Sequence, residues 1–287
     1  MSRVKTVFVC RDCGAETPRW EGRCPTCGEW NSLDESRLKS VPRVAGQANR
    51  ASRVRPLGDS GESPPGRMVT GFGEVDRVLG GGLVPGSVVL LGGTPGIGKS
   101  TLLLQVAGLL RDRGHGVLYV SGEESPEQVA MRGARLGTAT DVAFLASNEL
   151  EEVLEALREI RPAVVCIDSI QTVSSRSMSS VPGGVAQVRE VASALQREVK
   201  EMGAACFLVG HVTKGGALAG PRTLEHLVDA VLHFEGQRSG DHRILRGSKN
   251  RFGSVDEMAA FRMDAGGLVP VPDPSALFLT PDGTEQS

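Results

Sequence analysis

The amino-acid sequence predicts an α/β fold: a nucleotide-binding core on a mainly parallel central sheet, with a small four-cysteine module at the N-terminus. Three observations predict it. Over residues 88–104 a β-branched apolar run breaks into a glycine-rich loop, and a leucine-rich helical pattern follows at once. Downstream, short apolar runs alternate with amphipathic helical ones, as expected of strands covered by helices on both faces. Near the start stand two C-x-x-C-G knuckles separated by ten residues.

The knuckles, Cys10 with Cys13 and Cys24 with Cys27, each place two thiolates on one side of a turn. Together they complete a tetrahedral four-sulfur site. Zn2+ in a structural ribbon over residues 1–32 is the expected occupant, with iron or a disulfide pair as alternatives. Four thiolates leave no open position, which argues against catalysis by the metal. Trp20 and Trp30 fall in this stretch and are expected to cover a metal centre too small to build its own core. Cys166 and Cys206 sit in apolar runs and read as buried small residues.

Residues 33–67 are polar and rich in Ser, Pro, Gly and Arg, which predicts a flexible basic linker. Arg37, Lys39, Arg43, Arg50, Arg53 and Arg55 fall within residues 36–58 with no acid among them. The whole chain carries a net charge of −2, so there is no global pull toward nucleic acid. Locally, the basic run suits either solvent or a phosphate backbone. No apolar run approaches the ~18 residues of a membrane span, and the first residues lack a signal-peptide layout. A cytoplasmic protein with no membrane partner is expected.

The core domain is expected over residues 68–287. Residues 70–83 predict a short helix closed by glycines, and the apolar strand into the loop follows. From Gly93 to Ser100 the loop fits G-x-x-x-x-G-K-[ST]. Gly93, Thr94, Pro95, Gly96, Ile97, Gly98, Lys99, Ser100 and Thr101 are therefore candidate ATP-binding residues. Glycines let backbone N–H groups curl around phosphates, which rest on the positive end of the following helix. Lys99 would reach the β- and γ-phosphates, and Ser100 would hold Mg2+.

Helices are then predicted over residues 102–110, 125–136, 149–160 and 187–202, and strands over 117–120, 142–146, 163–167 and 205–209. Shorter alternating runs near 228–234, 243–246 and 258–263 read as hairpin strands extending the sheet.

Active groups on such sheets cluster at the carboxyl ends of the strands. Asp168 has the place of the acid that holds Mg2+ through water, a helix N-cap being the plainer reading. Glu123 and Glu124 follow a strand, where a carboxylate could polarise the water attacking the γ-phosphate or merely favour a helix dipole. His211 could sense the γ-phosphate or be structural. Two glycine-rich stretches, 172–186 with Arg176 and 212–222 with Lys214 and Arg222, suit a polynucleotide backbone or plain solvation. Neither holds an aromatic residue, so DNA contact there would rest on phosphates.

The ribbon and the loop are joined by Val120-Ser121-Gly122-Glu123-Glu124-Ser125, Val165-Cys166-Ile167-Asp168-Ser169 and Gly210-His211-Val212-Thr213-Lys214. Lys249-Asn250-Arg251-Phe252-Gly253 is the most distinctive of the set. With these residues the sequence resembles, over nearly its whole length, the RadA (Sms) family of bacterial DNA-repair and recombination ATPases, whose core is RecA-like. The resemblance implies a DNA-dependent ATPase with ATP, Mg2+ and Zn2+, forming hexameric rings on single-stranded and branched DNA and driving branch migration. It implies recombinase or replicative machinery as partners and Glu123 as the base. It also implies that Lys249 and Arg251 act at a neighbour's nucleotide like an arginine finger. On their own these two residues read as a basic turn. Family members continue into a domain resembling Lon protease, and an end at Ser287 leads to the expectation of a chain without it. A nucleotide-switched regulatory module is the alternative, and a P-loop kinase would need an acceptor pocket and lid that the sequence does not offer.

Overall fold

In the computed structural model the described residues are 5–10, 15–38, 66–138, 141–178, 180–211, 221–236 and 242–272. The N-terminal strand β1 (Lys5–Cys10) pairs antiparallel with β2 (Glu16–Thr17) and with β3 (Leu33–Leu38). Residues 33–38, expected in the linker, are thus part of this sheet. Their polar sequence conceals a strand in which Leu33 is buried and Asp34 and Glu35 are exposed. Residues 39–65, the rest of the expected linker short of Gly66 and Arg67, lie outside the described residues. The tryptophans also depart from expectation, with Trp20 56% and Trp30 67% exposed. The small core here is made by Cys10, Cys24 and Leu33 with Phe8 and Ala15, and it closes without an indole.

Helix α1 (Gly73–Leu79) ends on Gly80 in the left-handed conformation and precedes β4 (Val88–Gly93). Next come α2 (Lys99–Asp112), β5 (Val117–Ser121), α3 (Pro126–Leu136) and β6 (Ala143–Ala146). They are followed by α4 (Leu150–Ile160), β7 (Val164–Asp168), α5 (Val185–Met202) and β8 (Ala205–His211). Helix α3 starts where Ser-Pro-Glu predicts it. Ser125 is the N-cap of a capping box with Gln128, and Pro126 occupies the first turn.

The chain closes its described part with α6 (Pro221–Leu227), β9 (Ala230–Glu235), β10 (His242–Asn250), β11 (Met258–Asp264) and β12 (Gly267–Val271). Helix α6 takes up Pro221 and Arg222 from a stretch read as loop, and β12 was not expected.

The nine strands β4 to β12 form one sheet in the order β12-β11-β10-β9-β4-β8-β7-β5-β6. The six from β9 to β6 are parallel, and β10, β11 and β12 extend the sheet antiparallel. Strand β9 therefore corrects the hairpin reading on one side, since it pairs parallel with β4 as well as antiparallel with β10.

Successive residues of a strand point to opposite faces, and two cores result. Val89 and Leu91 of β4 pack with α1 and α2, while Val88 and Leu90 pack with α4, α5 and α6. Burial on both faces is why these strands read as unbroken apolar runs.

At the start of β4 the buried Asp229 accepts the Val88 N–H with Oδ2 (2.9 Å) and the Arg251 guanidinium with Oδ1 (2.9 Å). Its own N–H donates to the Val88 carbonyl, and the Arg251 N–H donates to the Asp229 carbonyl. Asp229→Ala should cost about 2–3 kcal/mol of stability, because it strands a buried N–H and half of an ion pair. Urea unfolding of the variant against wild type measures it.

Candidate functional site

Strand β4 ends at Gly93, the loop runs through residues 94–98, and α2 begins at Lys99. Thr94, Pro95 and Gly96 are exposed, whereas Ile97 is buried and pegs the loop to the core. From β10 the buried Arg243 donates Nε to the Ile97 carbonyl at 3.1 Å, supporting the loop from beneath. Gly98 has φ +111, a backbone conformation that other side chains adopt only with strain, so the turn favours glycine. Lys99 Nζ reaches back across the loop to the carbonyls of Gly93 (2.9 Å) and Thr94 (3.1 Å). Ser100 and Thr101 follow in the first turn of α2, where unpaired N–H groups favour an anion.

The acids gather at the same end of the sheet. Gly93 of β4 is in register with His211 of β8, and Ser121 of β5 with Asp168 of β7. Asp168 is buried, and its Oδ2 accepts the Tyr119 hydroxyl at 2.7 Å. Burial, together with the Asp168 charge, holds the Tyr119 phenol well above its ordinary pKa, so it stays a donor. The Ser121 hydroxyl accepts the N–H groups of Glu124 (3.1 Å) and Glu123 (3.4 Å), turning the chain beside the loop. Glu124 forms an ion pair with Arg132 of α3. Glu123 is exposed, and its charge acts on Lys99.

Lys99 feels all of this. Burial lowers its pKa to about 8, while the charges of Asp168 and Glu123 hold it up against a larger fall. The donor set fits a nucleotide with Mg2+: Gly93–Thr101 could cradle the phosphates, and Ser100 and Asp168 could hold the cation. Tyr119, Arg243 and Arg132, which position this set, were not picked out from sequence. Their roles exist only through partners 49, 146 and 8 positions away, respectively.

Other candidates lie elsewhere. Lys249 donates to the carbonyls of Glu225 (2.5 Å) and Val228 (2.8 Å) at the end of α6. Its pKa is lowered, first by burial and then by Arg251. Arg251 pairs with Asp229. Both sit at the start of β4, whose six residues set them roughly 20 Å from their own phosphate loop. Arg176 pairs with Glu149 and, at 3.6 Å, with Glu152. Lys214 lies outside the described residues, and Arg222 falls in α6.

In the N-terminal module the Sγ atoms of Cys10, Cys24 and Cys27 lie within 4.8 Å of one another, and those of Cys10 and Cys27 are 3.7 Å apart. Tetrahedral Zn–S bonds of about 2.3 Å imply sulfurs about 3.8 Å apart, so the trio fits zinc. Cys13, the expected fourth ligand, lies outside the described residues. Cys166 and Cys206 are buried in the sheet, and burial pushes both thiols up, as inert cysteines should be.

Phosphates favour the charged form of Lys99, so nucleotide binding above pH 8 should take up a proton. Affinity should then weaken by up to about tenfold per pH unit as pH rises past 8. Calorimetry in buffers of different ionisation enthalpy measures the uptake; an affinity flat to pH 10 would exclude Lys99 as the group.

Residues 67–217 match the family model described as AAA domain, and residues 8–35 match the Rubredoxin metal binding domain. The chain is 49% identical over 284 residues to the DNA repair protein RadA of Pseudomonas aeruginosa, covering 98% of this chain and 62% of that protein. It is 48% identical to RadA of Halalkalibacterium halodurans and 47% to RadA of Bacillus subtilis, each over 97% of this chain. It spans 62% of the length of these relatives. Among solved structures, an isolated ATPase domain matches with a TM-score of 0.61 at 15% identity, over 72% of this chain and 92% of that one. That likeness concerns the fold, which is RecA-like with a zinc ribbon before it. The chain belongs to the AAA domain family, and the curated relatives it resembles are proteins named DNA repair protein RadA.

Proposed function

We propose that this chain is a DNA-stimulated ATPase of repair and recombination, acting on single-stranded and branched DNA in the cytoplasm and promoting branch migration. The observation that carries the reading is the convergence of Lys99, Asp168 and Glu123 at the end of the sheet where the phosphate loop opens. ATP would rest on residues 93–101, with Lys99 on the β- and γ-phosphates. Mg2+, held by Ser100 and through water by Asp168, would neutralise charge on the phosphate oxygens. The Tyr119 hydroxyl fixes the Asp168 carboxylate in place for that task. Glu123 rather than Glu124 would take the proton of the attacking water, because Glu124 is occupied by Arg132. His211, level with Gly93, would respond to the γ-phosphate.

The position of Lys249 and Arg251 far from their own loop supports their acting on the nucleotide of a neighbouring copy, in a ring of six. DNA would be gripped through phosphates by Arg176, Lys214 and Arg222, the last of them in α6. At Arg176 a phosphate would have to displace Glu149 and Glu152. The N-terminal module would hold Zn2+ through Cys10, Cys13, Cys24 and Cys27, and a recombinase or replicative protein would recruit the chain.

Steady-state ATP hydrolysis with and without single-stranded DNA, across a salt series, tests the reading. Stimulation should fade as salt rises. Unstimulated, salt-insensitive turnover would instead favour a nucleotide-switched regulatory module. In the same assay Glu123→Gln should bind ATP yet turn over on the order of 100-fold or more slowly.

Mixing tests the ring. Arg251→Ala subunits that still bind nucleotide should poison wild-type assemblies, because each disables the site next door. Activity that falls only in proportion to the wild-type fraction would place Arg251 outside the reaction.

A further inference from the structure

Among the described residues no hydrogen bond or ion pair holds the Glu123 carboxylate, whereas Glu124 is tied to Arg132. The aim of Glu123 is therefore set by its backbone, in the turn Ser121-Gly122-Glu123 at the end of β5. Two other segments close on that turn. Between β6 and α4, the Ser147 N–H donates to the Ser121 carbonyl at 3.2 Å. Asn148 Cβ lies 3.5 Å from where a Cβ on Gly122 would stand. Thr172, in the turn after β7, comes closer still. The same Cβ would stand 2.5 Å from Thr172 Oγ1 and 2.9 Å from Thr172 Cβ.

Gly122 lies outside the left-handed region, so glycine is needed here for close approach and not for backbone freedom. The obstacle is held in place. A threonine Cβ is fixed to its own backbone, and the Thr172 hydroxyl donates to the Ser169 carbonyl at 2.8 Å. The Thr172 N–H donates to the same carbonyl at 3.2 Å. Ser169 directly follows Asp168, and the Ile170 N–H donates to the Val209 carbonyl of β8 at 2.9 Å, which anchors this turn in the sheet. Thr172 is thus a strut between the turn that carries the exposed Glu123 and the turn that leaves the buried Asp168. A hydroxyl that merely capped its own turn would need the Ser169 carbonyl and no contact with Gly122.

We propose that Thr172 is a positioning residue for ATP hydrolysis: by its contact with Gly122 it sets how far Glu123 reaches toward the attacking water. This role rests on the reading of Glu123 as the base. It accounts for how a carboxylate that no side chain restrains is placed closely enough for proton transfer, where a displacement of about 1 Å can cost on the order of 100-fold.

Turnover and nucleotide affinity of Gly122→Ala, Thr172→Ala and Thr172→Ser, each also combined with Glu123→Gln, test this role. Affinity is read by titration with a fluorescent ATP analogue. Gly122→Ala should drive the turn off Thr172 and lower kcat about tenfold or more, with affinity within about twofold of wild type. Thr172→Ala only slackens the contact and should lower kcat about threefold or more. Thr172→Ser, which keeps the hydroxyl, should recover most of that loss. On top of Glu123→Gln, Gly122→Ala and Thr172→Ala should each cost no more than about twofold further, because the carboxylate they place is already gone. Wild-type turnover in either single variant would overturn the role of Thr172 and leave the base standing. Losses repeated in full on Glu123→Gln, or matched by an equal fall in affinity, would overturn it too, since the turn would then serve the fold at large. Wild-type turnover in Glu123→Gln would remove the base, and the role of Thr172 with it.

Discussion

Strand β4 is hydrogen-bonded on both sides, to β8 and to β9, and all six of its residues are buried. A slip of one residue would exchange Val89 and Leu91 with Val88 and Leu90 between two cores already filled, so its register is fixed. Both ends of the strand thereby become fixed points. At its carboxyl end, Gly93 releases the chain into the phosphate loop at one level of the sheet, beside His211. At its start, Val88 is tied to Asp229, and through Asp229 to Arg251.

The loop end concentrates charge in a partly dry place. Lys99 is buried enough to titrate near pH 8, yet two carboxylates keep it from falling further. These carboxylates differ in kind. Asp168 is buried, hydrogen-bonded and aimed by Tyr119, which suits a group that must hold still. Glu123 is exposed at a turn fixed by Ser121, which suits one that must meet a water and give up its position between turnovers. Two acids at one end of the sheet thus differ in burial and in partners, and on the proposed reading that difference divides their tasks.

Much of this was legible in the sequence, for a physical reason. Parallel strands buried on both faces announce themselves as apolar runs, and a phosphate loop is local, so residues 88–104 carried both element and chemistry. What escaped depends on distant partners. The parallel pairing of β9 with β4 leaves no trace in the two-residue alternation of β9. Strand β3, Leu-Asp-Glu-Ser-Arg-Leu, has four polar residues in succession and so does not read as a strand, and β12 carries Pro270 at the edge of the sheet. Tyr119 reads as one more apolar strand residue until Asp168 is seen against its hydroxyl. The tryptophans misled in the other direction, since large rings in a small module suggest a core that Cys10, Cys24 and Leu33, with Phe8 and Ala15, had already filled.

Asp229 connects the two ends in a way that bears on how subunits would communicate. Its carboxylate fixes the start of β4 with one oxygen and orients Arg251 with the other, so the guanidinium is mechanically continuous with the strand that sets the loop. No side chain spans the roughly 20 Å between them, and within one chain Arg251 has no access to the phosphates. On the proposed reading, one copy's Arg251 completes its neighbour's site while its own loop awaits an arginine from the other side. A shift of β4 on loading nucleotide would then move the arginine presented next door. Because the strand is locked in register on both edges, that movement would be a displacement of the whole sheet rather than local give. Communication of this kind needs no additional element: a rigid strand with a ligand at one end and a guanidinium at the other is enough.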